Sequence, residues 1–246
     1  MQQHTYAIMN RVEDSHWWYV GRRAILESFL ERISSALSTQ HSALKILDVG
    51  CGTGGNLEML AKFGAAEGVD VSDDALEFCQ SKGLTVHKGL AEKLPFADET
   101  FDVVTALDVV EHLDDDIAGL GEMHRVLRIG GAALIFVPAF MWLWGVQDDV
   151  SNHRIRYTKK QITERLRKSG FEIERATYAN ITFFAPILGG RTLMRITGIK
   201  PESENNVNIS ALNGVFGKIF GAEKFWLKNL SLPFGVSIVI VAKKIK

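Results

Sequence analysis

Short unbroken apolar runs, separated by stretches with helical spacing, make up most of this chain. From residue 45 to 137 the two alternate, and each run has the character of a strand buried on both faces. Ile46–Val49 reads as one such strand, Leu57–Phe63 as the helix after it, and Glu67–Asp70 as the next strand. Ala132–Val137 reads as a central strand, and this alternation implies a parallel sheet with crossover helices. Upstream, the pattern predicts a helix over 15–37, with Asp14 or Ser15 as its cap. Downstream, Lys159–Ser169 reads as a helix closed by Gly170, Phe171–Tyr178 as a strand, and Gly235–Lys243 as the last strand.

Ile129 to Gln147 carries no charge and is long enough to test as a membrane span. Gly130, Gly131 and Pro138 interrupt it, which favours a buried strand. About fifty residues separate the last two strands, far more than a hairpin requires. Within them Leu212, Val215, Phe216, Ile219 and Phe220 fall at helical spacing, and basic residues (Arg191, Arg195, Lys200, Lys218, Lys224, Lys228) outnumber acids. A helical cap over the sheet edge is expected; a lid for a lipid-like molecule, or a surface resting on a membrane, is the alternative. Glu202–Asn208 is the most loop-like stretch.

The chemistry begins at Asp48-Val-Gly-Cys-Gly-Thr-Gly-Gly-Asn56. Gly50, Gly52 and Gly54 let the backbone turn tightly and approach a ligand, and the amides opening the following helix point into the same turn. Asp70, ending the next strand, is placed to accept both hydroxyls of a ribose. Gly50, Gly52 and Gly55 also satisfy the G-x-G-x-x-G dinucleotide pattern, so a nicotinamide-dependent oxidoreductase is a competing reading. Asp48 weighs against it, because a carboxylate beside the loop repels a pyrophosphate and attracts a cationic amino group. It is equally able to brace the loop by accepting backbone amides.

With these residues the chain resembles the class I S-adenosylmethionine-dependent methyltransferases, of the small-molecule, type 11-like kind. The likeness extends through Gly89-Leu-Ala-Glu-Lys-Leu-Pro-Phe96, Phe101-Asp-Val-Val104, Leu107-Asp-Val-Val-Glu-His-Leu113 and Leu127-Arg-Ile-Gly-Gly131, in order, over about residues 45–140. It implies an α/β, Rossmann-like three-layer sandwich. The sheet is seven-stranded and mostly parallel, with an antiparallel last strand beside the fifth. Residues 45–180 and 233–246 form the cofactor-binding domain, 1–44 an N-terminal helical lid, and 181–232 a helical insertion. The resemblance also implies S-adenosylmethionine as cofactor, S-adenosylhomocysteine as product, and in-line transfer of a methyl group to a small or lipid-like acceptor.

Carried over residue by residue, Asp48 and Gly50 line the methionine part, Gly52 passes close beneath the ligand with Cys51 beside it in the cofactor loop, and Asp70 holds the ribose. Val71 packs on the adenine, Ala91 and Glu92 meet its edge, and Leu107 and Asp108 face the sulfonium. An Asp often precedes the Ala-Glu pair; Leu90 stands there in this chain, so the adenine amino group loses that carboxylate or Glu92 replaces it. His16-Trp-Trp-Tyr-Val-Gly-Arg-Arg23 supplies lid candidates: Trp18 and Tyr19 as pocket walls, Arg22 or Arg23 as a fork for the methionine carboxylate. Asp108, His112, His153 and Tyr157 are the candidates for handling the acceptor, with Arg154 or Arg156 for an anionic one.

Composition narrows the classes. With 28 basic and 29 acidic residues there is no global field to attract nucleic acid, and no Asn/Asp-Pro-Pro-aromatic motif of amino-methylating enzymes is present. Two cysteines cannot hold an iron–sulfur cluster or a disulfide framework, and both read as small buried hydrophobes. Asp148, Asp149 and His153 offer oxygen and nitrogen ligands for a metal, but the paired acids suit a solvated loop, so no metal is expected. The polar start lacks a signal-peptide core, which predicts a cytoplasmic protein, with peripheral membrane contact through 181–232 as the alternative. A non-catalytic nucleoside-binding module remains the other competing reading.

Overall fold

The computed structural model describes residues 3–37, 43–199 and 210–246. A seven-stranded sheet runs in the order β3-β2-β1-β4-β5-β7-β6. Its strands are β1 (Leu44–Val49), β2 (Gly64–Asp70), β3 (Val86–Lys88), β4 (Phe101–Leu107), β5 (Leu127–Pro138), β6 (Glu172–Ala179) and β7 (Ser237–Lys243). Strands β1 to β5 pair in parallel, while β7 inserts antiparallel between β5 and β6. The long apolar runs became central strands for a simple reason: helices cover both faces. Leu47, Val49, Val104, Ile135 and Ile240 pack towards α5 (Asp116–Val126) and α7 (Lys159–Lys168). The alternate residues Ile46, Val103, Leu134, Phe136 and Val239 pack towards α2 (Trp17–Leu37).

The remaining helices are α1 (Gln3–Val12), α3 (Leu57–Leu60), α4 (Asp73–Ser81), α6 (Val146–Val150), α8 (Phe184–Thr197), α9 (Asn213–Gly221) and α10 (Lys224–Leu227). Two expectations need correction. The helix after the glycine loop is a single turn rather than a run to Phe63. α2 starts at Trp17, where His16 Nδ1 accepts from the Trp18 amide at 3.3 Å, so neither Asp14 nor Ser15 is its cap. A separate helix, α1, precedes it in a segment with no clear apolar period. The loop-like stretch Glu202–Asn208 lies outside the described residues.

A glycine seam joins the N-terminal and C-terminal additions. A Cβ on Gly21 of α2 would sit 2.5 Å from Phe220 Cδ1, and one on Gly221 would sit 3.1 Å from Ala24 Cβ. These absent side chains let α9 lie directly on α2, with Phe220 fully buried between them. Because β1, β2, β4 and β5 are parallel, Gly50, Asp70, Asp108 and Pro138 emerge at one edge. Antiparallel β7 presents its opposite end there, so Val236 and Ser237 join them. That edge is where open α/β sheets bind ligands.

Candidate active site

One cavity of about 710 Å³ runs along this edge, from the glycine loop to α8. At its first end the loop is built by backbone conformation. Gly50, Gly52 and Gly54 all have positive φ (67°, 54° and 86°), which L side chains rarely adopt. At Gly50 a side chain is also excluded by Val109, whose Cγ2 lies 2.5 Å from where a Cβ would be. Gly50 and Cys51 amides donate to Val69 O at 2.7 and 3.1 Å, hanging the loop on β2. Asp70 then closes it: one carboxylate oxygen accepts from the Gly52 amide and the other from the Ser72 amide, both at 2.9 Å. Asp70, Val71, Leu90, Ala91, Glu92, Gly50, Cys51 and Gly52 all line the cavity. A carboxylate with lone pairs to spare, on the cavity wall beside glycine backbone, fits a ribose-bearing ligand.

Asp48 is not on the cavity wall. It is 1% exposed, under the loop, where Oδ1 accepts from the Thr105 hydroxyl at 2.6 Å and Oδ2 has no partner. Burial raises its pKa from 3.8 to about 7, opposed by the Thr105 hydrogen bond and the positive charge of Arg22. Its influence on a ligand is therefore a field through the loop, not a contact.

The aromatic cluster does reach the cavity. Trp18, Tyr19, Arg22 and Arg23 line it, with the Arg22 guanidinium 4.6 Å from the Trp18 ring centre. Arg22 forms a short ion pair with Asp108 and donates to Asn56 Oδ1 at 3.1 Å. Asp108 holds a positive φ of 61° at the end of β4, and its amide donates to Phe136 O at 2.9 Å. Burial raises its pKa while Arg22 opposes the rise. Arg23 instead donates to Glu13 O at 2.6 Å, so of the two arginines Arg22 is the one at the strand ends.

Sequence reasoning missed what holds this segment down. Glu13, 4% exposed, accepts from the Thr53 hydroxyl at 2.8 Å and from Lys82 Nζ at 2.9 Å. The buried acid thus staples the turn after α1 to the glycine loop, and Tyr6 and Met9 of α1 enter the cavity wall. A lone Glu with no periodicity around it carries no signal of this in the sequence.

The opposite end is walled by His112, Gln147, His153, Arg156, Phe183, Pro186, Ile187, Met194 and Phe216. His112 and His153 stand edge to face, 4.7 Å between centroids. Two expectations are corrected here. Tyr157 is fully buried outside the cavity wall, its hydroxyl donating to Asp116 at 2.8 Å and its pKa raised by burial, so it is not placed to deprotonate an acceptor. Asp148 is not on a solvated loop. It is 1% exposed, accepting from Arg156 at 2.8 Å and from the Gly145 amide at 2.7 Å. Burial would raise its pKa, but the hydrogen bond with His153 and the positive charges of Arg156 and Arg191 hold it down at about 2.

Known proteins agree with this geometry. Residues 47–135 match the methyltransferase-domain family. The chain is 43% identical over 98 residues to a demethylmenaquinone methyltransferase of Chlorobaculum parvum, covering 38% of this chain and 41% of that one. It is 39% identical over 101 residues to a ubiquinone biosynthesis O-methyltransferase of Methylococcus capsulatus, covering 38% and 43%. The chain thus matches less than half the length of these relatives. In fold it is similar to a methyltransferase solved in complex with the Trm112 activator of Haloferax volcanii, with a TM-score of 0.64, 17% identity, and 100% and 98% of the two chains covered. The chain contains a class I S-adenosylmethionine-dependent methyltransferase domain, and S-adenosylmethionine is the methyl donor that such a domain takes.

Proposed function

We propose that this protein methylates a lipid-like small molecule that enters beneath α8. The observation that carries the reading is the continuity of the cavity: polar and glycine-walled at the cofactor end, apolar under α8, with Asp108, His112 and His153 between. Bound at the glycine loop, S-adenosylmethionine supplies a sulfonium-activated methyl group, which an in-line acceptor lone pair takes as the carbon–sulfur bond breaks with its electrons left on sulfur.

In this reading Asp70 holds the ribose hydroxyls while keeping the Gly52 amide, and Val71, Ala91 and Glu92 flank the adenine. Arg22, with Trp18 and Tyr19 behind it, lies at the methionine end beside Asp108. Leu107 and Asp108 face the methyl, and His112 and His153 the acceptor. Alignment and exclusion of water are the main contributions of the chain, since the methyl group is already activated.

Two observations support a lipid-like acceptor. The inner side of α8 gives Pro186, Ile187 and Met194 to the cavity, while Leu193, Ile196 and Ile199 are exposed at 61%, 78% and 63%. Phe234, exposed and 4.9 Å from the Phe184 ring, adds apolar surface beside α8, and Arg195 gives the same helix an exposed positive charge. Such an amphipathic surface suits an anionic bilayer from which an acceptor slides into the pocket. Among the described residues no helix is long and apolar enough to cross a membrane. Quinone methyltransferases among the relatives point the same way.

The test has two arms. Calorimetry should detect S-adenosylmethionine and S-adenosylhomocysteine binding that Asp70→Ala weakens by about 10- to 100-fold, with no response to NAD; binding of NAD alone refutes the reading. Flotation with anionic vesicles should carry the protein upward, and Leu193→Asp with Ile196→Asp should leave it in the soluble fraction.

A further inference from the structure

Glu111 is fully buried, yet neither of its carboxylate oxygens has a hydrogen-bond partner. A buried acid without a partner carries a large desolvation cost unless something else satisfies it. Its neighbours are two histidines. The ligand atoms of Glu111, His112 and His153 all lie within 4.8 Å of one another. His112 is half-buried, its ring 4.7 Å from that of His153, and its imidazole offers a ring nitrogen to the cluster.

His153 is oriented from behind. Its Nδ1 is 2.7 Å from Asp148 Oδ1, which directs Nε2 to the cluster, 3.9 Å from Glu111 Oε1. A carboxylate behind an imidazole is the arrangement that fixes the tautomer of a metal-ligating histidine. The two segments are also tied together. The Arg154 amide donates to Glu111 O at 2.8 Å, and Arg154 Nε donates to His112 O at 2.9 Å. His112 and His153 line the cavity, so the cluster is reachable from it.

We propose that Glu111, His112 and His153 bind one divalent first-row transition-metal ion, with an open coordination position towards the acceptor end of the cavity. One carboxylate and two imidazoles are the donor types for such an ion, and three protein ligands leave room for a further oxygen. This departs from the expectation that no metal is bound: Asp148, weighed there as a ligand, serves instead to orient His153. The role of the ion rests on the methyltransferase reading above. An acceptor hydroxyl bound to it loses its proton to water near neutral pH. The resulting oxyanion provides the lone pair that forms the oxygen–methyl bond.

The experiment adds Co²⁺ to metal-stripped protein, follows the visible bands of the bound ion, and competes it with Zn²⁺. One equivalent should bind, Zn²⁺ should displace it, and Glu111→Gln or His112→Asn should weaken binding by about 10-fold or more. Asp148→Asn should weaken it by about 10- to 100-fold through loss of the orienting carboxylate. S-adenosylhomocysteine calorimetry on the same samples reports separately on the fold and on the methyltransferase reading. In the Co²⁺-loaded wild type, shifted imidazole N–H resonances from two histidines test the same ligands without any substitution. Failure of the wild type to bind either ion, or binding unchanged in both ligand variants, overturns the proposal.

Discussion

Asp48 makes stability depend on pH in the direction opposite to an ordinary ion-paired acid. Its pKa rises from 3.8 in the unfolded chain to about 7 in the fold. The folded state therefore holds the proton more tightly, and stability is greatest below pH 4, falling as pH rises until the group ionises near 7. With these two values, the loss between pH 5 and pH 8 amounts to about 2.5 kcal/mol from this group alone. Asp48→Asn keeps the shape and an oxygen for the Thr105 hydroxyl but has no proton to lose. Urea unfolding of both proteins at pH 5 and pH 8 measures the difference of differences. The wild type should lose about 2.5 kcal/mol more than the variant over that interval. Parallel pH profiles would refute the argument and place the Asp48 pKa near its ordinary value, which would mean that water reaches its second oxygen.

Other outcomes follow from the same contacts. Arg22→Gln leaves Asp108 buried beside the cavity without its cation, and should lower stability by about 3–5 kcal/mol in urea unfolding. Asp70→Ala removes a charged acceptor and should weaken S-adenosylhomocysteine binding by about 10- to 100-fold in calorimetry, from roughly 1.5–3 kcal/mol of lost hydrogen bonding. Tyr157→Phe should cost about 1.5–3 kcal/mol of stability through the Asp116 hydrogen bond, while cofactor affinity stays at the wild-type value. Gly21→Val drives a side chain into Phe220, and should lower the thermal midpoint and expose the α2–α9 seam to proteolysis.

The sheet was legible in the sequence because its strands are covered on both faces. Ala132–Val137 is apolar throughout, and Ile46–Val49 and Ser237–Lys243 are broken only by Asp48 and by the two terminal residues of β7. The glycine loop and Asp70 were legible for a related reason: a tight turn at a strand end needs residues that tolerate positive φ, and few sequences offer three glycines there. The sequence likewise determined that an aromatic, arginine-rich segment and a helical insertion would flank this core.

Tertiary structure decided which polar groups meet. Asp48 and Asp70 are both acids at strand ends. Only packing buries the first under Thr105 and leaves the second, past the end of β1 in the parallel register, on the cavity wall. Arg22 and Asp108 are 86 positions apart, and Glu13 and Lys82 are 69 apart, so no local period relates them. Asp148 looked like part of a solvated acidic pair until Arg156 and the turn at Gly145 enclosed it. Tyr157, four residues after His153, shows the same limit. Burial of a side chain depends on what the chain folds over it, and a five-residue segment that places His153 in the cavity sends the Tyr157 hydroxyl to Asp116 instead. Local pattern sets the elements and their order; the partners of each charge are set by contacts between residues far apart in the chain, and those exist only once the layers have closed.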